Sequence, residues 1–266
     1  MIRNRTTPIL RLGRWRFTRL IIGLMLQFLP TWLVRPFANI FGHAIAPGAR
    51  VGFSLLICDR IVMAPDTRVG HFNYVNVRRL FMRNKSRLGH MNSCRGPVSL
   101  RLDENAVIGN RNTITRAPLG TTSGPAQLWL GRLAKITADH SLDCTLTIRL
   151  GHYCTLAGKG SQIWTHGYVH EQEAPNRYRV DGSVLIGNNV YLGAGVIVTG
   201  GVTICDGASV GVGTCVTKNL LEPGFYISGA LRMLPKPADP ESRIDMERVD
   251  DPSLVERVYR KYDARF

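Results

Sequence analysis

Six aliphatic residues recur at a strict interval of six near the C-terminal end: Ile186, Leu192, Val198, Ile204, Val210 and Val216. Four residues after each comes a second small or aliphatic side chain: Val190, Val196, Val202, Ala208, Thr214 and Leu220. A period of six fits neither an amphipathic helix nor a two-sided strand. It is the hexapeptide period of a parallel β-helix, in which three units close one coil and the anchors stack into a continuous core. The step recurs upstream at Ile45, Val51, Ile57, Met63, Val69, Val75 and Phe81, at Ile108 and Ile114, and at Leu130, Ile136, Leu142 and Ile148. Leu150 and Leu156 restart it two residues late. Such phase slips mark insertions that leave one edge of a solenoid as loops.

The period divides the chain into a leader over 1–44, a repeat domain over 45–234 and a tail over 235–266. A basic stretch with six arginines and no acid (Arg3 to Arg19) precedes the apolar run Leu20–Val34. Gln27 and Pro30 interrupt that run, which is short for a membrane span. A signal peptide, an interfacial helix on anionic lipid, and a helix capping the open end of the solenoid are all compatible with it. In the tail, Leu254, Val255, Val258, Tyr259 and Tyr262 form one apolar stripe and predict a short C-terminal helix.

The net charge is +15. Residues 238–266 hold eight acids and six bases, so the excess positive charge lies in the rest of the chain. A basic body seeks anions. With no nucleic-acid-reading motif present, a phosphate-rich cofactor and an anionic membrane or glycan account for the charge, and nucleic acid is not expected as a partner. The six cysteines are scattered without a C-x-x-C pair, which excludes a zinc ribbon or a disulfide framework and suits a reducing compartment.

One long interruption, Gly158–Ser183, carries Trp164, Thr165, His166 and His170 just before the cleanest repeats. Insertions in solenoids are where function concentrates, and a histidine is suited to general-base work near neutral pH. From Thr165-His166-Gly167, through Ile186-Gly187-Asn188-Asn189-Val190-Tyr191-Leu192-Gly193, to Val216-Thr217-Lys218, the chain resembles the left-handed β-helix acyltransferases of the hexapeptide-repeat family. Within that family it is most similar to the sugar and polysaccharide O-acetyltransferases. The likeness covers roughly residues 45–234. Tyr191 stands where the family has tryptophan, and Ser228-Gly229-Ala230-Leu231-Arg232 lacks the family's proline.

The resemblance implies a left-handed parallel β-helix, all-β apart from its helical ends, assembled as a homotrimer with sites shared between neighbours. It implies acetyl-CoA as co-substrate and a sugar hydroxyl of a cell-surface polysaccharide or its precursor as acceptor. The cysteine usage suits a cytoplasmic location, and the basic, apolar leader makes peripheral contact at the inner membrane face a further option. His166 matches the base, and the Ala194 N–H matches the oxyanion donor. Tyr191, Gly193, Ala194, Gly211, Thr217, Lys218 and Arg232 fall where coenzyme A is held. Trp164, Thr165 and Asp143 are candidates for the acceptor side, and His140 for a second catalytic histidine. Structural alternatives stand beside these: Trp164 as a buried anchor, Lys218 as a solvated corner, His170 as a loop lining. Other acyl acceptors (a sugar amine, or the serine hydroxyl), a zinc enzyme on the same coil and a non-catalytic scaffold complete the field. No metal site is expected, because His166 and His170 lack the spacing of the zinc enzymes.

Overall fold

A computed structural model describes residues 8–119, 122, 124–170, 177–229, 232–234, 246–249 and 258–261. It divides into two units, Met1–Met233 and Leu234–Phe266.

The first unit is a parallel β-solenoid of about nine coils. Each coil lays one short strand on each of three faces, in register with the coils before and after it. On the first face Ile45, Met63, Met82, Leu102, Leu130, Leu150, Ile186 and Ile204 stack in order. Val51, Val69, Leu88, Ile108, Ile136, Leu156, Leu192, Val210 and Tyr226 form the second column. Leu56, Val75, Cys94, Ile114, Leu142, Ile163, Val198 and Val216 form the third. All twelve paired positions of the C-terminal repeat are buried, none more than 2% exposed.

In the early coils the period slips. Ile57 and Phe81, expected as anchors, are half-buried, and Leu56 and Met82 take the core places. The strands Leu55–Met63, Tyr74–Met82 and Ser93–Leu102 run continuously around one corner. Leu56 pairs with Val75 and Met63 with Met82, coil spacings of 19 residues rather than 18, so a strict count of six lands one residue past Leu56 and one short of Met82.

A polar ladder runs inside one corner. The Asn73, Asn92 and Asn112 amides each donate to the oxygen one coil back, from Ser54 Oγ through Asn73 Oδ1 to Asn92 Oδ1, at 2.9–3.1 Å. Each is buried, and each also donates to a backbone carbonyl, at Gly89, Gly109 and Thr137 respectively. Buried amides with every group paired fix the coil register as well as its stability.

The N-terminal end is closed by two helices, α1 (Pro8–Phe28) and α2 (Thr31–Ile40), separated at Pro30. Ile22 and Leu26 of α1 and Val34 and Ala38 of α2 enter the core. Gly23 lets α1 approach the Leu56 carbonyl; a Cβ there would lie 2.7 Å from that oxygen. The open strand edge is then satisfied by side chains. Asn39 accepts from Ile45 N–H at 2.8 Å and donates to its carbonyl at 3.1 Å, and Thr31 Oγ1 accepts from Val51 N–H at 2.8 Å. Of the sequence alternatives for the leader, the capping helix is what these contacts describe. Among the described residues no helix is long and apolar enough to cross a membrane.

In the second unit, Met246–Val249 pairs antiparallel with Val258–Lys261. The C-terminal helix expected around Val258 and Tyr259 is therefore corrected to a strand at those positions. Valine and tyrosine favour extended backbone, and a stripe of two turns is too short to hold a helix by itself. Leu254, Val255 and Tyr262 lie outside the described residues.

Candidate active site

The long interruption is an antiparallel hairpin, His166–His170 against Arg177–Asp181, that leaves the solenoid at the corner between the third and first faces. Its base is tied down: Gly182 N–H donates to the Thr165 carbonyl at 2.9 Å, and Arg179 pairs with Asp181 at 2.7 Å. Gly200 of the next coil passes over this base, where a Cβ would lie 3.2 Å from the Thr165 carbonyl carbon. Only a glycine leaves that clearance without displacing the neighbour.

His166 is the first residue of the hairpin, and Asp143 lies one coil back on the third face, in register with Trp164. The His166 Nδ1 is 2.8 Å from Asp143 Oδ1 and 3.2 Å from Thr145 Oγ1. The same carboxylate oxygen accepts from Thr145 N–H and from Thr165 Oγ1, both at 3.1 Å. Thr165 in turn accepts from Leu146 N–H at 3.0 Å. Burial pushes the Asp143 carboxyl up, but the hydrogen bonds from His166 and Thr145 outweigh it and hold the group below its ordinary value. An ionised partner on Nδ1 places the ring proton there and leaves the Nε2 lone pair for a substrate. The side chains are 25% and 11% exposed, so the ring reaches solvent while its carboxylate is largely enclosed. Trp164 and Tyr168 stand edge-on to the imidazole at 6.3 and 5.9 Å between centroids. Trp164 is exposed, with its indole N–H on Gln162, and so is not the buried anchor considered above.

The pairing of Asp143 with His166 is the feature that sequence reasoning missed. The sequence alone groups Asp143 with the acceptor-side candidates. His140 sits elsewhere: it is 1% exposed and forms the rung of the asparagine ladder after Asn112. Its Nδ1 accepts from Ser161 N–H at 3.1 Å, so the proton is on Nε2, 3.0 Å from Thr137 Oγ1. Burial lowers its pKa, against a smaller opposing effect of Asp139.

The remaining sequence candidates fall on two edges. Tyr191, Gly193, Ala194 and Gly211 lie at the end of the second face. Gly193 is buried under Val212 N, which a Cβ would approach to 2.8 Å, and a Cβ on Gly211 would meet Ile227 at 3.1 Å. Ala194 stacks on Gly158, and Gly195, at φ +66°, turns the chain after it. No acceptor takes the Ala194 N–H among the described residues. Thr217 and Lys218 are exposed on the His166 edge, Lys218 two coils beyond Thr165, or about 10 Å along the stack. Arg232 begins a strand, Arg232–Leu234, and its side chain, like that of His170, lies outside the described residues. Across one chain the two edges are on the order of 15 Å apart, the width of an extended face from Ser161 to Thr165 plus its turn. Among the described residues no group of three or more His, Cys, Asp or Glu side chains gathers to hold a metal.

The chain is a hexapeptide-repeat β-solenoid. No protein-family model and no curated protein matches it. Solved structures similar to it include the polySia-specific acetyltransferase NeuO, at 17% identity over 73% of this chain and 86% of that one, with a TM-score of 0.49. The polysialic acid O-acetyltransferase OatWY gives 18% identity over 73% and 84%, also with a TM-score of 0.49. The hexapeptide-repeat acetyltransferase VCA0836 from Vibrio cholerae O1 biovar eltor, complexed with acetyl-CoA, gives 13% over 86% and 90%, with a TM-score of 0.36.

Proposed function

We propose that the chain is an acetyl-CoA-dependent O-acetyltransferase acting on a sugar hydroxyl of a cell-surface polysaccharide or its precursor. The observation that carries this reading is the His166–Asp143 pair, at 2.8 Å, inside a Thr-His-Gly motif at the mouth of a hairpin. Acetyl-CoA supplies the activated acetyl group. His166 Nε2 takes the proton of the acceptor hydroxyl as its oxygen bonds to the thioester carbon. Asp143 stabilises the imidazolium so formed. The Ala194 N–H, without an acceptor among the described residues, suits the oxyanion that develops on the carbonyl. When the carbon–sulfur bond breaks, His166 returns the proton to the departing sulfur.

His166 and Ala194 lie on opposite edges of one face, so a single chain does not unite them. A homotrimer in which the Ala194 edge of one copy meets the His166 edge of the next would complete the site. The glycines at 193 and 211 keep that edge low for the cofactor arm, and Lys218 offers a cation for its phosphates. His140, with both ring nitrogens engaged inside the ladder, has a structural role in this reading and no part in proton transfer. Exposed Phe17, Phe28 and Trp32, on a leader whose sequence is rich in arginine, suit peripheral contact with an anionic inner-membrane surface.

The test is thiol release from acetyl-CoA in the presence of saccharide acceptors. The wild type is expected to release coenzyme A in an acceptor-dependent way, and His166→Ala to lose that release while keeping its melting temperature. An unchanged rate in His166→Ala would remove the histidine from the mechanism.

A further inference from the structure

A second cationic feature lies on the same edge of the solenoid as His166, toward the N-terminal cap. A half-open cavity of about 630 Å³ lies between α1, the first two coils at the corner of the third and first faces, and the Gly96-Pro97 turn. Arg60, Arg78 and Arg79 line it, and Arg60 and Arg79 are stacked directly in register on adjacent strands. Like charges facing each other across a parallel pair repel. None of the three side chains has a hydrogen bond or ion pair within the described residues. The one acid in the lining, Asp59, is bound to Arg19 at 2.7 Å. The lining therefore holds three uncompensated guanidinium groups.

Neutral donors complete it. His43 is 7% exposed and lines the cavity. Its Nδ1 accepts from Ile61 N–H at 3.0 Å, which fixes the ring proton on Nε2 as a donor with no internal partner among the described residues. Asn76 adds a side-chain amide. Planar guanidinia and fixed N–H donors around a cavity, with no free carboxylate, are the chemistry that recognises phosphate.

The position relates this cavity to the reaction. Asn76, Arg95, Thr115, Asp143 and Trp164 form one in-register column on the third face. Four strand spacings separate Asn76 from Trp164, about 19 Å. Exposed Arg95 lies on that path. We propose that the Arg60–Arg78–Arg79 cavity binds the phosphate or diphosphate of the acetyl acceptor, whose saccharide runs along this edge to present a hydroxyl at His166. The acceptor would then be a phosphate-linked sugar carrier. Its phosphate comes either from a lipid-linked saccharide, whose tail would pass beside the exposed Phe17, Leu20 and Leu24 of α1, or from a soluble nucleotide-diphosphate sugar. The link to acetyl transfer rests on the function proposed above; the anion site itself rests on the cavity alone.

The experiment is a binding titration of the full chain at physiological salt, with inorganic pyrophosphate as the first probe. The wild type is expected to bind saturably, Arg60→Ala/Arg79→Ala to bind at least tenfold more weakly, and Arg68→Ala, on the second face, to bind like the wild type. His166→Ala should also bind like the wild type, so a failure of the catalytic reading leaves this result intact. The second step is co-flotation with phosphatidylcholine vesicles containing a polyprenyl-diphosphate sugar, with a nucleotide-diphosphate sugar as competitor. Flotation that depends on the lipid-linked sugar and on Arg60 and Arg79 identifies the lipid source. Binding of the nucleotide sugar alone, with the same arginine dependence, identifies the soluble one. Absence of pyrophosphate binding, or equal weakening by Arg68→Ala, overturns the site.

Discussion

Replacing Asp143 with asparagine tests how the structure prepares His166. The substitution keeps the shape of the side chain and an oxygen able to accept from Thr145 N–H and Thr165 Oγ1, now at 3.1 Å. It removes the negative charge 2.8 Å from His166 Nδ1. A hydrogen bond to a charged partner contributes about 1.5–3 kcal/mol, and here the full value is realised only when the ring becomes positive, during proton transfer. At about 1.4 kcal/mol per decade, kcat should fall roughly 10- to 150-fold, with little change in KM for acetyl-CoA. The assay is initial-rate thiol release at saturating acceptor. A double variant, Asp143→Asn/His166→Ala, should be no slower than His166→Ala alone, because the carboxylate acts through the ring. An Asp143→Asn enzyme with wild-type kcat, or a loss that persists in the His166→Ala background, would refute the reasoning.

Other consequences are equally open to measurement. The Asp143 carboxyl is held below its ordinary value, so its stabilising contribution is present above that ordinary value and is lost as pH falls through the lowered one. The melting-temperature gap between wild type and Asp143→Asn should accordingly be full at neutral pH and close below about pH 4. Leu192→Ala removes a side chain that is wholly buried in the second column, and chemical denaturation should report a loss of about 2–5 kcal/mol. Asn92→Ala breaks one ladder rung and removes the acceptor of the Asn112 backbone N–H and of one of its side-chain N–H groups, and the donor to the Gly109 carbonyl; the expected cost is about 2–4 kcal/mol by the same assay. Burial pushes the Cys58, Cys94 and Cys154 thiols up to about 12, whereas Cys215 is exposed. A disulfide reagent should label Cys215 in the folded protein and reach those three only on unfolding.

The late coils were legible because nothing interrupts them: from Ile186 to Leu220 each apolar pair in the sequence is a core pair in the structure. The early coils were legible as a period but not in register, since coils of 19 rather than 18 residues put the count on Ile57 instead of Leu56 and on Phe81 instead of Met82. His166 stood out through its motif. Its partner did not, because Asp143 and His166 become neighbours only through the length of the intervening coil, from Leu142 to Ile163, which departs from the regular repeat. His140 drew attention as a histidine among polar residues, and only the stacking of Asn112, His140 and Ser161 reveals it as a rung. The arginine cavity had no local signature: Arg60, Arg78 and Arg79 are ordinary surface residues until α1 docks beside them. The C-terminal stripe misled, because helical spacing over so few residues does not outweigh the extended preference of Val258 and Tyr259.

The most direct test of the central claim is mass spectrometry of a phosphate-linked oligosaccharide after incubation with acetyl-CoA and the protein. The account predicts a product heavier by one acetyl group, removed by mild base as an ester is, and absent when His166→Ala replaces the wild type at equal folded concentration. An unmodified saccharide across the acceptor panel, or an acetylated product formed equally fast by His166→Ala, would contradict it.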